Sequence, residues 1–247
     1  LQGGGNFGDL WRWVQDERLD FLRRHPRNPA LIFPVSCRYE DQALLRRDAE
    51  ELAAHPDLTI CARDQMSYDL LAAHFRNRIL LVPDMAFFID PHPLRKLNDR
   101  HPKGLLVLRR SDKERVAAGD HLSVAPGDRL IIADWPSMER APGHWRTYQT
   151  LLRWGRMARQ KQVVWRASDF MMHLSDLFYH QVSRRLLIRQ GAAFIGRQRA
   201  IRSTRLHGAI LAILLNKELQ IVDNLDGKIS AFFRTWLEGV EGVELLE

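Results

Sequence analysis

Ala30-Leu31-Ile32-Phe33-Pro34-Val35-Ser36-Cys37 is a short apolar run, and Asp41 follows it in position to cap an amphipathic stretch reaching about Ala54. That is strand, loop and helix. The same unit recurs downstream: residues 58–62 read as a second strand, Ser67 caps a helix over residues 68–75, and residues 79–82 form a third strand that stops at Pro83-Asp84. Alternation of this kind predicts a parallel α/β sheet.

Residues 90–104, with Pro91, Pro93, Asn98 and Pro102 and no clear apolar period, read as a connection between two domains, 1–98 and 99–247. Beyond it, strands are expected at 104–109, 129–133, 162–165 and 219–222, and helices near 145–159 and 175–190. The second half is therefore α/β as well. A chain of 247 residues with 45% hydrophobic content can bury one large core or two modest ones.

The 37 Lys and Arg against 30 Asp and Glu leave a formal charge of +7, which attracts phosphates, acidic glycans, anionic membrane surfaces or nucleic acid. Against nucleic acid stand the scattered basic residues and the lack of an RRM, KH, zinc-finger or helix-turn-helix signature. Cys37 and Cys61 lie in apolar segments with no CxxC or cysteine-histidine spacing, so they read as reduced core residues, and no metal is implied. With no run near the roughly 18 apolar residues of a membrane span, the chain is expected to be cytoplasmic. Arg153, Arg156, Arg159 and Lys161, close to Leu151, Leu152 and Trp154, form a helix face that is either plainly solvated or in contact with a membrane surface.

Two blocks carry candidate chemistry. Ser203-Thr204-Arg205-Leu206-His207-Gly208 leads into the apolar residues 209–215, placing an arginine and a histidine where a turn becomes a helix. Free backbone N–H groups and the positive dipole end make an anion the natural ligand there, and a guanidinium can hold a carboxylate or phosphate in a fork. Gly3-Gly4-Gly5-Asn6-Phe7-Gly8-Asp9-Leu10-Trp11 reads as a glycine-rich turn without GxGxxG spacing. Such a turn ordinarily follows a buried strand, and only Leu1 and Gln2 precede it, so the first domain is expected to be truncated at its N-terminus. Asp9 serves either as the N-cap of a helix starting near Leu10 or as a site residue.

These blocks, with Arg110-Ser111-Asp112 in the middle and Asp223-Asn224 and Gly227-Lys228 after the last expected strand, resemble in order and spacing the polysaccharide pyruvyltransferase family over nearly the whole chain. The resemblance implies transfer of the enolpyruvyl part of phosphoenolpyruvate to a sugar of an exopolysaccharide or its lipid-linked precursor, forming a pyruvate ketal and releasing phosphate. It also implies two Rossmann-like domains facing a cleft in a GT-B-like arrangement, on the inner face of the membrane, with phosphoenolpyruvate as donor substrate and no cofactor.

The donor carries a carboxylate and a phosphate on one small skeleton, so two cationic or N–H-rich pockets are required, and Arg205 and Arg110 are the candidates. Arg109 is the alternative to Arg110, since neighbouring strand residues face opposite sides; the family's Arg-x-Asp pattern favours Arg110. Protonation of the methylene carbon needs an acid that titrates near neutrality, a requirement histidine meets, which gives His207 that role or a phosphate contact. Asn6 and Asp9 would line the cleft, with Asp9 as base for the sugar hydroxyl, while Asn224 and Lys228 are further donor contacts. Leu225-Asp226 departs from the commoner family form and brings a negative charge that a phosphate site does not welcome.

Asp84, at a strand end, is left open to a cleft role, Ser67-Tyr68 is read as structural, and Trp135 and Trp145 either stack on a sugar ring or pack internally. Two competing readings are a GT-B nucleotide-sugar glycosyltransferase and an inactive interaction module.

Overall fold

The computed structural model describes residues 1–109, 129–160, 165–223 and 227–246. Its first part runs β1 (Gly4–Gly8), α1 (Arg12–Arg24), β2 (Ala30–Arg38), α2 (Gln42–Ala53), β3 (Leu58–Ala62), α3 (Gln65–His74) and β4 (Arg78–Leu81). The four strands form one parallel sheet in the order β1-β2-β3-β4. Ile32, Val35 and Ile60 of the central strands are fully buried, in one core with Leu19 and Leu22 of α1, Leu45 and Leu52 of α2, and Leu71 of α3. Each such side chain withdrawn from water contributes about 1.5–3 kcal/mol, which is why the apolar runs become strands covered by helices.

Local signals set the element ends. Asp41 accepts from the N–H groups of Ala43 and Leu44 and caps α2 as expected. The cap of α3 is Asp64, not Ser67: the Asp64 side chain accepts from Ser67 N, and the helix opens at Gln65. Ser67 Oγ instead accepts from Cys37 N at 2.8 Å, stitching α3 to β2. The glycine block, expected as a turn, is the edge strand β1. Glycine is required at its end because Gly8 has φ of +122° and a Cβ there would stand 1.7 Å from the Arg38 carbonyl oxygen.

The chain continues through α4 (Pro91–Arg95), β5 (Leu105–Leu108), β6 (Leu130–Ala133), α5 (Pro136–Glu139), α6 (Gly143–Gln160), α7 (Trp165–Phe178), a π turn (Tyr179–Ser183), α8 (Arg184–Gly196), β7 (Ala200–Ser203), α9 (Leu206–Leu214), β8 (Glu218–Val222), α10 (Lys228–Trp236) and β9 (Val243–Leu246). A second sheet has the order β6-β5-β7-β8-β9, with β5 parallel to both neighbours. Of the strand expected at 162–165, residues 162–164 lie outside the described residues and Trp165 begins a helix. Strands β7 and β9 were not legible, being four residues each and, in β7, interrupted by Arg202.

The compact units are Leu1–Ile89 with Ile221–Glu247, and Asp90–Gln220, rather than a split at residue 98. The C-terminal segment belongs to the first unit for identifiable reasons: Trp236 Nε1 donates to the Arg63 carbonyl at 2.7 Å, Gln65 N donates to Thr235 Oγ1, and buried Phe232 stacks on Phe87. Cys37 and Cys61 are free and buried, and burial, followed by the charge of Asp64, pushes the Cys37 thiol well above its ordinary range, leaving it unreactive.

Asp48 of α2 is fully buried and meets Arg12 in a two-pronged pair, Nη1 to Oδ2 at 2.7 Å and Nη2 to Oδ1 at 2.9 Å, while the Tyr39 hydroxyl donates to Oδ2 at 2.8 Å. The hydrogen bond to Asp48 holds Arg12 charged above its ordinary range, and burial followed by the Asp48 charge raises the Tyr39 phenol. Asp48→Ala leaves Arg12 with Asp16 alone and a buried phenol without its acceptor, and should lower unfolding free energy by about 1–3 kcal/mol in a urea titration.

Candidate active site

Chemistry-bearing residues gather at the carboxyl ends of each sheet, where ligands bind in open α/β folds. In the second sheet, the register pairs Leu108 with both Ala133 and Ser203, so the residues that follow β5, β6 and β7 emerge side by side. Arg109 N donates to the Ala133 carbonyl at 2.9 Å, and Thr204 N donates to the Leu108 carbonyl at 3.1 Å. From this ledge α9 rises with Arg205 at its N-cap in an extended conformation and no side-chain cap on its first N–H groups. Ser203 shapes the turn, accepting from Arg205 N at 3.0 Å and donating to the Arg205 carbonyl at 2.8 Å.

Arg205 does not offer its fork outward as expected. Its Nε donates to Asp134 Oδ1 at 2.6 Å and its Nη2 to Asp134 Oδ2 at 2.8 Å, so the edge expected to take a substrate carboxylate already holds a buried protein carboxylate. Asp134 also accepts from Trp135 N at 2.6 Å. The sequence reading passed over Asp134, although an acidic residue directly after the apolar run 130–133 is the same signal that drew attention to Asp84. The pair fixes the start of α9 against the end of β6. His207, two residues on, is exposed on the first turn of α9. That turn sits tight on the sheet, since a Cβ on Gly208 would come 2.2 Å from Leu108 Cδ2. Arg110 and Asn224 lie outside the described residues.

The first sheet has its own polar cluster. Arg63, just past β3, is buried: Nε donates to Ser36 Oγ at 2.8 Å and Nη1 to Asp84 Oδ2 at 3.0 Å. Ser36 passes the interaction on by donating to Asp64 Oδ2 at 2.6 Å, and Asp64 Oδ1 accepts from Ser67 N at 2.8 Å. Asp84 caps the 3-10 turn Met85–Phe88 with its other oxygen, so its place at a strand end is used internally.

The remaining candidates of the first unit are engaged within it. Asn6 accepts from Arg18 through its side-chain oxygen and, at 3.1 Å, through its carbonyl. Arg18 also donates to the Gln2 carbonyl and to Gln15 Oε1, and burial lowers its pKa to about 10. Asp9 is not the N-cap of α1, which begins at Arg12 behind Trp11. Its Oδ2 accepts from Glu40 N at 2.6 Å and Asp41 N at 2.8 Å, tying the end of β1 to the turn after β2. Lys228, expected to reach outward to phosphate, is buried at the first position of α10 with Nζ 3.5 Å from the Gly5 carbonyl oxygen. Trp135 packs edge-on against Phe194 at 6.4 Å and Trp145 lies tilted against Tyr148 at 5.1 Å, so both take part in packing.

The family model for polysaccharide pyruvyl transferase matches residues 1–224. EpsO of Bacillus subtilis (strain 168), a protein named for pyruvyl transfer, is 29% identical over 250 residues that cover 100% of this chain and 71% of that one. Pyruvyl transferase 1 of Schizosaccharomyces pombe (strain 972 / ATCC 24843) is also 29% identical, over 100% of this chain and 57% of its own length. A crystal structure of an uncharacterized protein from Klebsiella pneumoniae subsp. pneumoniae NTUH-K2044 aligns with a TM-score of 0.54 at 16% identity, over 100% of this chain and 73% of that one, a likeness of fold.

If the Arg205–Asp134 pair fixes the entry to α9, a double-mutant cycle on Arg205→Met and Asp134→Asn, read by thermal unfolding, should give a coupling of about 1.5–3 kcal/mol.

Proposed function

The chain belongs to the polysaccharide pyruvyl transferase family, and from that premise we propose that it transfers the enolpyruvyl group of phosphoenolpyruvate to a sugar of an exopolysaccharide or its lipid-linked precursor. The observation that carries this reading is His207, exposed on the uncapped first turn of α9 next to an arginine anchored by Asp134. The turn's N–H groups and dipole favour an anionic donor, and the Arg205–Asp134 pair anchors the turn that carries the imidazole.

In this mechanism His207, as imidazolium, gives its proton to the methylene carbon of phosphoenolpyruvate. Positive character develops at the adjacent carbon, a sugar hydroxyl adds there and loses its proton, and phosphate departs. A second hydroxyl of the same sugar then attacks the same carbon, returns its proton to the neutral imidazole of His207 and closes the ketal. Asn6 and Asp9 are the proposed acceptor contacts, Asp9 taking the hydroxyl proton, and Arg110 and Asn224 the proposed donor contacts; Lys228, buried against the Gly5 carbonyl, is not among them. Because the Arg205 fork rests on Asp134, its contribution is that of a positioning residue for His207 and the α9 turn.

The test is phosphate release from phosphoenolpyruvate with lipid extract from polysaccharide-producing cells as acceptor. His207→Ala should lower the acceptor-dependent rate by about 10²–10⁴-fold with unchanged circular dichroism. Undiminished release by that variant would remove His207 from the reaction, and nucleotide freed from sugar nucleotides in place of phosphate would replace pyruvyl transfer with glycosyl transfer.

A further inference from the structure

The helices of the Asp90–Gln220 unit expose an apolar stripe set among arginines. Phe170, Leu174 and Leu177 of α7 are spaced four and three residues apart, and all are exposed, Phe170 by 64%. The inner side of α7 is used elsewhere: Met172 packs on α6 so closely that a Cβ on Gly155 would stand 2.9 Å from its Sδ. A π turn spans Tyr179–Ser183, and since such a turn returns to the same face after five residues, Val182 rejoins the stripe begun by Leu177, and exposed Leu186 follows four residues later. On α6, Trp154 and Met157 are exposed as well.

Charge follows the same helices. Arg153 and Arg156 of α6 and Arg184, Arg185 and Arg189 of α8 are all exposed. Residues 143–196 contain nine Lys and Arg against two Asp, an excess of seven that equals the net charge of the entire chain. Among the described residues no helix is long and apolar enough to cross a membrane. Aromatic and aliphatic side chains standing among arginines are instead the composition of a surface that lies on a bilayer, its apolar groups entering the acyl boundary and its cations meeting anionic headgroups. A second copy of this chain would bring the same positive excess to the contact and be repelled.

We infer that the α6–α8 face docks on an anionic phospholipid surface. The sequence offered such a contact, against a plainly solvated face, on Arg153, Arg156, Arg159 and Lys161 beside Leu151, Leu152 and Trp154; the Arg159 side chain and Lys161 lie outside the described residues, and the stripe from Phe170 to Leu186 extends the apolar part. This inference does not depend on pyruvyl transfer, so it stands or falls separately.

Flotation with phosphatidylglycerol vesicles tests it, with phosphatidylcholine vesicles alongside. The chain should float with phosphatidylglycerol at low salt, bind phosphatidylcholine at least about tenfold more weakly, and be released as salt rises. With about 1 kcal/mol per surface cation, R184A/R185A/R189A should weaken binding about a hundredfold. F170S/L174S should weaken it about tenfold while keeping the salt dependence. Both variants touch only exposed side chains and should retain the wild-type circular dichroism. Absence of binding to phosphatidylglycerol overturns the inference, as does wild-type binding by the two variants. So does a concentration-dependent mass doubling in light scattering that F170S/L174S abolishes, which would make the face a self-association surface.

Discussion

Arg63 is the residue on which the first unit is assembled. A guanidinium taken almost wholly out of water is tolerated only when its donors are met by charge and hydrogen bonds, and each partner comes from a different part of the chain. Ser36 belongs to β2, Asp84 follows β4, Trp236 of α10 donates to the Arg63 carbonyl, and Gly5 of β1 lies so near that a Cβ there would stand 2.9 Å from Nη2. The guanidinium therefore ties β2 to the segment after β4, close beside the glycine-rich opening strand, while the backbone carbonyl of the same residue receives the returning C-terminal helix. Lys228, at the start of α10, is buried against the same strand through the Gly5 carbonyl.

The second unit solves a similar problem with Arg205 and Asp134. Bringing the guanidinium onto an aspartate at the end of β6 neutralises it but fixes the register of α9, whose first turn keeps its N–H groups without a side-chain cap. This helix start carries His207 exposed on its first turn. With the Arg205 fork engaged, an anion at this place would meet the N–H groups and dipole end of the α9 first turn.

Much of this was legible from residues. The apolar runs at 30–37 and 58–62 and the cap at Asp41 specified strands and a helix directly, because burial and capping act over a few neighbouring positions. The block 203–208 was read as a turn passing into a helix, and α9 opens at Leu206. What escaped were pairings between residues far apart in sequence: Arg205 with Asp134, Arg63 with Asp84, and Asp9 with the turn at 40–41. A side chain's partner across 71 positions leaves no periodic trace, so Arg205 and Lys228 read as open cations when one is paired and the other buried. The glycine block misled for a related reason, since nothing local distinguishes a tight turn from an edge strand pressed against a neighbour's carbonyl.

Pyruvyl transfer itself is tested most directly by mass spectrometry of a lipid-linked glycan acceptor incubated with the protein and isotopically labelled phosphoenolpyruvate. The account predicts an acceptor heavier by one pyruvic acid less one water, carrying the label and losing it in mild acid as a ketal does. An acceptor unchanged by phosphoenolpyruvate, yet extended by a sugar when nucleotide sugars are supplied, would contradict it.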